Sequence, residues 1–217
     1  FMALAALSSG AKDPNESIID PGYFVLGNHK FRDSSQGGHG QVDMKKSIVV
    51  SSDTYYYKLA IGMGVDLIHE YISPFGFGKQ TGVDLTGEAR GILPSSSWKL
   101  QRHGKQWLQG ETPSIGIGQG YNTFTILQMA KATSIIANRG VMIKPRLLKG
   151  SREFNKSEFS YSEPVTQGKL NIQQEWFDFV IDAMVEVNKS GTASSVFGNS
   201  PFPIAGKTGT AQVFTIK

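Results

Sequence analysis

The sequence has no cysteine among its 217 residues, so no disulfide staples the fold and no thiolate serves as nucleophile or metal ligand. The lack fits an oxidising compartment without demonstrating one. No run of residues is long and apolar enough to cross a bilayer as a helix. An excess of one charge is missing too: 22 basic residues against 18 acidic ones leave a net charge of +4. These charges are scattered rather than gathered on one helix, which argues against nucleic acid as a partner. There is neither an internal repeat nor a low-complexity tract. What is present is enough apolar residue, 39% of the chain, for a single hydrophobic core.

The pattern of apolar residues and turn formers sets out the elements. Residues 1–7 read as the end of a buried helix, and 16–40 as a loop-rich excursion with short strands, punctuated by Asp-Pro-Gly and Gly-Gly. Two apolar helical runs, 44–50 and 54–61, flank a break at Ser51-Ser52-Asp53, and an amphipathic stretch over 65–72 ends at Ser73-Pro74. Glycine, proline and serine dominate 79–118, which predicts a long irregular stretch. A helix is expected over 122–138, capped by Asn122 or Thr123 and stopped at Gly140. A strand over 142–148 and a polar connection over 151–168 follow. Trp176, Phe177, Val180, Ile181, Met184 and Val187 then form one face of a further helix.

Near the carboxyl end, residues 204–213 set Lys207, Thr208, Gly209 and Thr210 between apolar neighbours, which predicts an edge strand. Alternation would put Lys207 and Gly209 on one side and Thr208 and Thr210 on the other. A substrate backbone could lie against such a strand beside a fixed positive charge. A strand ending in a polar turn explains the same string. At the 51–53 break, a hydroxyl and a carboxylate are placed where they can face a cleft, although Ser and Asp also cap the helix that follows. K-T-G belongs with S-x-x-K and an S-D-N-type element to penicillin-recognising serine enzymes.

Taken in order, Ser51-Ser52-Asp53-Thr54-Tyr55-Tyr56-Tyr57, Gly116-Ile117-Gly118-Gln119-Gly120-Tyr121, the stretch 125–130, Lys207-Thr208-Gly209-Thr210 and Asp20-Pro21-Gly22 resemble the transpeptidase domain of class B penicillin-binding proteins of the elongation type. The resemblance covers most of the chain. It implies an α+β fold of the serine β-lactamase kind, with an antiparallel sheet flanked by helices and a mainly helical subdomain. Residues 1–140 would hold that subdomain and the cleft, and 141–217 the sheet-associated part. It also implies a partial domain, with the nucleophilic serine of S-x-x-K a few residues before Phe1. Ser9-Gly10-Ala11-Lys12 follows a helix and runs into a turn, and Ser96-Ser97-Trp98-Lys99 lies in a serine-rich loop; both are read as structural.

The implied chemistry is two-step acyl transfer between peptidoglycan stem peptides, blocked by β-lactams acting as substrate mimics. Ser51 would relay a proton to the departing amine and Asp53 would orient the S-x-x-K lysine. An aspartate there, in place of the usual asparagine, would raise that lysine's pKa. Lys207 would supply positive potential, Thr208 and Thr210 would meet the substrate carboxylate beside Gly209, and the Thr210 N–H would join the oxyanion hole. No cofactor is required. Expected partners are a membrane-embedded glycan polymerase and elongation-complex proteins, at the periplasmic face of the bacterial inner membrane. A penicillin sensor or a β-lactamase would share these motifs; the 116–121 segment and the stretch behind it favour the transpeptidase.

Asp20, Asp33 and His39 form a further group. Two carboxylates and an imidazole hold zinc when a fourth ligand completes a tetrahedron, and turn chemistry explains the two aspartates equally well. Some members of the resembled group carry zinc here with a cysteine at the middle of the second motif, where this chain has Ser52. His29, His69 and His103 fall in no pattern.

Overall fold

The computed structural model describes residues 1–211 of the 217. Helix α1 (Met2–Ser9) is apolar all round and buried from Met2 to Leu7, the signature of a central helix. Gly10 closes it in the left-handed conformation. Three further helices share its core. α2 (Met44–Val50) starts on an Asp43 cap whose side chain accepts from Lys46 N; α3 (Asp53–Ile72) starts on Ser52; and α7 (Gln174–Lys189) buries Phe177, Val180, Ala183 and Val187. α3 and α7 both pack on α1, and α7 also packs on α2. α3 carries a non-helical residue, Gly64, that divides it where the sequence suggested two runs.

Every strand pair is antiparallel, and the mixture of helices and strands is α+β as expected. Among the described residues the strands form four separate pairs rather than one sheet. β1 (Ile18–Asp20) pairs with β4 (Gly40–Val42), and β2 (Tyr23–Leu26) with β3 (His29–Arg32). β5 (Val141–Ile143) pairs with β8 (Thr166–Lys169), and β6 (Gly150–Ser151) with β7 (Ser160–Tyr161). The loop between β3 and β4 lies so close to the turn after β1 that a Cβ on Gly38, at φ +69°, would sit 2.2 Å from the Asp20 carbonyl oxygen. Only glycine fits that crossing.

Four expectations are corrected. Residues 79–118 are less irregular than their composition suggested, holding α4 (Ser96–His103) and α5 (Thr112–Gly116). The helix expected from 122 is α6 (Ile126–Ala137), capped by Thr125, whose hydroxyl accepts from Gln128 N while Gln128 Oε1 accepts from Thr125 N. That reciprocal cap outweighs Asn122 and Thr123 because it satisfies two backbone donors at once. The strand expected over 142–148 is only three residues long, and 151–168 is not a bare connection, since it holds β7 and most of β8. α8 (Ser194–Phe197) is a single turn after α7.

Candidate active site

The corner between α2 and α3 uses two serines in different ways. Ser51 ends α2 at φ 57° and ψ 48°, a left-handed conformation uncommon outside glycine. Ser52 is buried. Its hydroxyl accepts from Tyr55 N at 3.1 Å, capping α3, and donates to Asp20 Oδ2 at 2.7 Å. Asp53 follows in the first turn, where an acid complements the positive helix end. Its Oδ2 accepts from Ser34 N at 3.2 Å, and Asp33 Oδ2 accepts from Thr54 N at 2.7 Å. The loops bearing Asp20 and Asp33 are therefore bound to the first turn of α3, and they fix the direction of the corner.

Lys207 meets that corner from the far end of the chain. Its ammonium donates to Ser51 Oγ in a short hydrogen bond spanning 156 residues of sequence. It also donates to the Thr208 carbonyl and hydroxyl oxygens, both at 3.2 Å, and Ser51 Oγ lies 3.0 Å from Thr208 Oγ1. The segment is not a strand over its described residues, 204–211; residues 212 and 213 lie outside them. A strand needs a ladder to satisfy its backbone, and here those groups turn to α7 instead. Gly206 N donates to Met184 O at 3.0 Å, and Asn188 Nδ2 donates to Ile204 O at 2.7 Å. Without a strand's alternation, Lys207 and Thr208 reach the same cluster rather than opposite faces. Gly209 and Thr210 are exposed, and a Cβ on Gly209 would touch nothing within 4 Å.

The electrostatics follow from this crowding. Desolvation lowers the Lys207 ammonium below the ordinary lysine range, against the pull of Asp53. Burial, then the neighbouring Asp33 charge, pushes the Asp53 carboxyl up. Asp53 thus holds its charge less firmly than a free aspartate, which weakens its expected influence on a nearby lysine. One side chain here went unpredicted: Thr192, whose Oγ1 lies 3.1 Å from Thr208 Oγ1 and 3.4 Å from Ser51 Oγ. In sequence, Gly191-Thr192 signals nothing beyond the end of a helix.

The two S-x-x-K strings lie in different settings. Ser9 closes α1, its hydroxyl donating to Ala6 O at 3.2 Å, and Lys12 pairs with Glu16 at 2.6 Å. Ser96 is not in a loop, as its serine-rich surroundings suggested, but opens α4 behind the Ser95 cap. Its N–H and hydroxyl both donate to Asp66, at 2.8 and 2.6 Å. Lys99, one turn on, is buried and donates to both oxygens of Glu111, at 2.6 and 2.5 Å. The string has the helical geometry of a nucleophile motif, yet both functional groups are already engaged.

Asp20, Asp33 and His39 do converge, their ligand atoms lying within 4.8 Å of one another. His39 Nε2 is buried with no hydrogen-bond partner among the described residues and lies 3.8 Å from Asp33 Oδ1. The donor set nevertheless falls short of a closed structural zinc site, which takes four strong ligands. The neighbouring Ser52 hydroxyl is a poor ligand and is already committed to Asp20 and Tyr55 N. Burial works to raise the Asp20 carboxyl, but hydrogen bonds from Ser52 and Gly22 N–H hold it below the usual range. The bracket thus stands on hydrogen bonds. Ser52→Ala removes a helix cap and leaves Asp20 Oδ2 without that donor, so the chain is expected to lose about 2 kcal/mol. Denaturant titration checks this as a lower midpoint at unchanged slope; an unmoved midpoint refutes the bracket.

The sequence matches, over residues 1–217, the model of the family described as Penicillin binding protein transpeptidase domain. Among curated relatives, the peptidoglycan D,D-transpeptidase MrdA of Haemophilus influenzae is 40% identical across the whole chain, which covers 34% of that protein. The chain thus spans about a third of the length of the curated relatives it matches. Among solved structures, Pseudomonas aeruginosa PBP2 in complex with WCK 5153 superposes with a TM-score of 0.86 at 38% identity, covering 98% of this chain and 48% of that one. The Helicobacter pylori complex between PBP2 and MreC gives 0.83 at 33% identity, covering 98% and 38%. The fold is that of the penicillin-binding transpeptidases.

Proposed function

This chain belongs to the penicillin-binding protein transpeptidase family, and on that premise we propose that it forms the cleft of a peptidoglycan D,D-transpeptidase acting in cell elongation. The observation that carries the reading is the meeting of Ser51 with Lys207 and Thr208 across the length of the sequence. A serine in an S-x-x-K motif ahead of Phe1 attacks the penultimate D-alanine carbonyl of a stem peptide. D-alanine leaves, and an amine of a neighbouring stem accepts the acyl group. Such a serine, heading the helix that α1 completes, meets backbone donors that favour oxyanion character.

The side chains then have separate tasks. Ser51 passes a proton to the departing amine, being in hydrogen-bond reach of both Lys207 and Thr208. Lys207 lends positive potential, Thr208 and Thr210 receive the terminal carboxylate, Gly209 leaves room for the substrate backbone, and the Thr210 N–H completes the oxyanion hole. Asp53 orients the S-x-x-K lysine and is itself held by Ser34 N. Residues 1–140 supply the helical part and the corner, and 141–217 the segment that bears the lysine. β-Lactams acylate the same serine. The H. pylori neighbour was solved with MreC; by analogy this protein works with elongation-complex proteins and a glycan polymerase, at the periplasmic face of the inner membrane.

Labelling the chain, extended ahead of Phe1 through the S-x-x-K segment, with a fluorescent penicillin tests this. A long-lived adduct on the serine ahead of Phe1 is expected, together with D-alanine release when stem peptide and an acceptor amine are supplied. Rapid turnover of the adduct would indicate a β-lactamase, and labelling at Ser9 or Ser96 would overturn the assignment of the nucleophile.

A further inference from the structure

Thr192 belongs to none of the family strings, yet its hydroxyl closes a triangle with those of Ser51 and Thr208, with separations of 3.0, 3.1 and 3.4 Å. Its position is built in by the backbone. Between α7 and α8, Gly191 passes so near the last turn of α2 that a Cβ there would lie 2.3 Å from Val49 O. Thr192 N donates to that same carbonyl at 3.3 Å, supplying a partner for one of the carbonyls a helix leaves open at its end. Ser51 stands two residues beyond Val49, so one contact sets both hydroxyls.

A hydroxyl carries one proton and can accept twice. The Lys207 ammonium already donates to Ser51 Oγ, so the Ser51 proton is directed towards Thr192 or Thr208. Three hydroxyls and one ammonium converge on one spot, a donor arrangement that suits a carboxylate. We infer that Thr192 is a positioning residue that orients the Ser51 hydroxyl toward the departing amine and the Thr208 hydroxyl toward the terminal carboxylate of the acyl donor. This deepens the transpeptidase reading and rests on it.

The test compares acylation of the full-length protein by a penicillin in Thr192→Val, which keeps the side-chain shape, and Thr192→Ser, which keeps the hydroxyl. The valine variant is expected to acylate about tenfold more slowly, the effect of one lost hydrogen bond, at an unchanged thermal midpoint, and the serine variant within about twofold of wild type. In a Thr208→Ala background the valine penalty should shrink, because the two hydroxyls act as a unit. Wild-type acylation with a valine variant equally fast, a serine variant as slow as valine, or a full tenfold penalty in the Thr208→Ala background each overturns the inference alone. A wild type that is never acylated sinks the transpeptidase reading, and this inference with it.

Discussion

Lys207→Ala is expected to slow acylation of the full-length protein by a penicillin roughly 100- to 1000-fold, the range for removing one preorganised electrostatic partner of the reacting atoms. Fold stability should barely change, because Lys207 is exposed and its backbone neighbours remain tied to α7 through Gly206 and Ile204. Two losses combine. The Ser51 hydroxyl loses the donor that fixes its proton's direction, and the cleft loses the positive charge facing the substrate carboxylate. The pH profile carries the same signature. Desolvation lowers the Lys207 pKa, so the ammonium is lost at a lower pH than for a free lysine, and acylation should decline on the alkaline side earlier than an ordinary lysine would dictate. Rapid-quench labelling across pH measures both effects; a variant that acylates at the wild-type rate would remove Lys207 from the machinery.

Glu111→Ala is expected to destabilise the fold by about 3 kcal/mol, since it leaves the buried Lys99 ammonium without a counter-charge. The Lys99 side chain is 4% exposed and that of Glu111 23%. Glu111 also accepts from Leu108 N at 2.9 Å and from the Tyr121 hydroxyl at 3.2 Å, joining α4, the entry to α5 and the 116–121 segment. The aromatic rings of Trp107 and Tyr121, 5.7 and 5.9 Å from the ammonium, soften the loss without replacing a carboxylate. Burial works to raise the Glu111 carboxyl, but hydrogen bonds from Lys99, Leu108 and Tyr121 hold it below its ordinary value. This contribution is therefore complete above the ordinary glutamate pKa and fades as pH falls through the depressed one. Denaturant titrations at neutral and acid pH should show the wild-type advantage over Glu111→Ala narrowing with acidity; a constant gap would contradict it. Replacing both partners by apolar residues should cost much less than Glu111→Ala alone.

What could be read from the sequence was whatever local chemistry decides. The 51–53 corner was legible because two apolar helical runs flank it and Ser and Asp are residues that start a helix, and α7 because its apolar residues recur at helical spacing. Thr125 and Gln128 spell a capping box, so the start of α6 was available to a closer reading. α4 escaped because a short helix that buries only Lys99 offers little apolar periodicity among glycines, prolines and serines. The strand expected over 204–213 failed for the opposite reason: alternation describes a capacity, and only a paired neighbour turns it into a strand. Thr192 could not be found at all, since its place depends on Val49, 143 residues away. The meeting of Ser51 with Lys207 was anticipated through family order rather than through anything local to either residue.

That long separation also imposes an order in time. A ribosome adds about 5 to 20 residues per second, so Lys207, 156 residues on, is made about 8 to 31 seconds after Ser51. During that interval α1, α2 and the bracket of Asp20, Asp33 and Ser52 can settle around half a cleft that has no ammonium opposite it. The cluster of Ser51, Thr208 and Lys207 therefore cannot assemble until the chain has been made through Lys207.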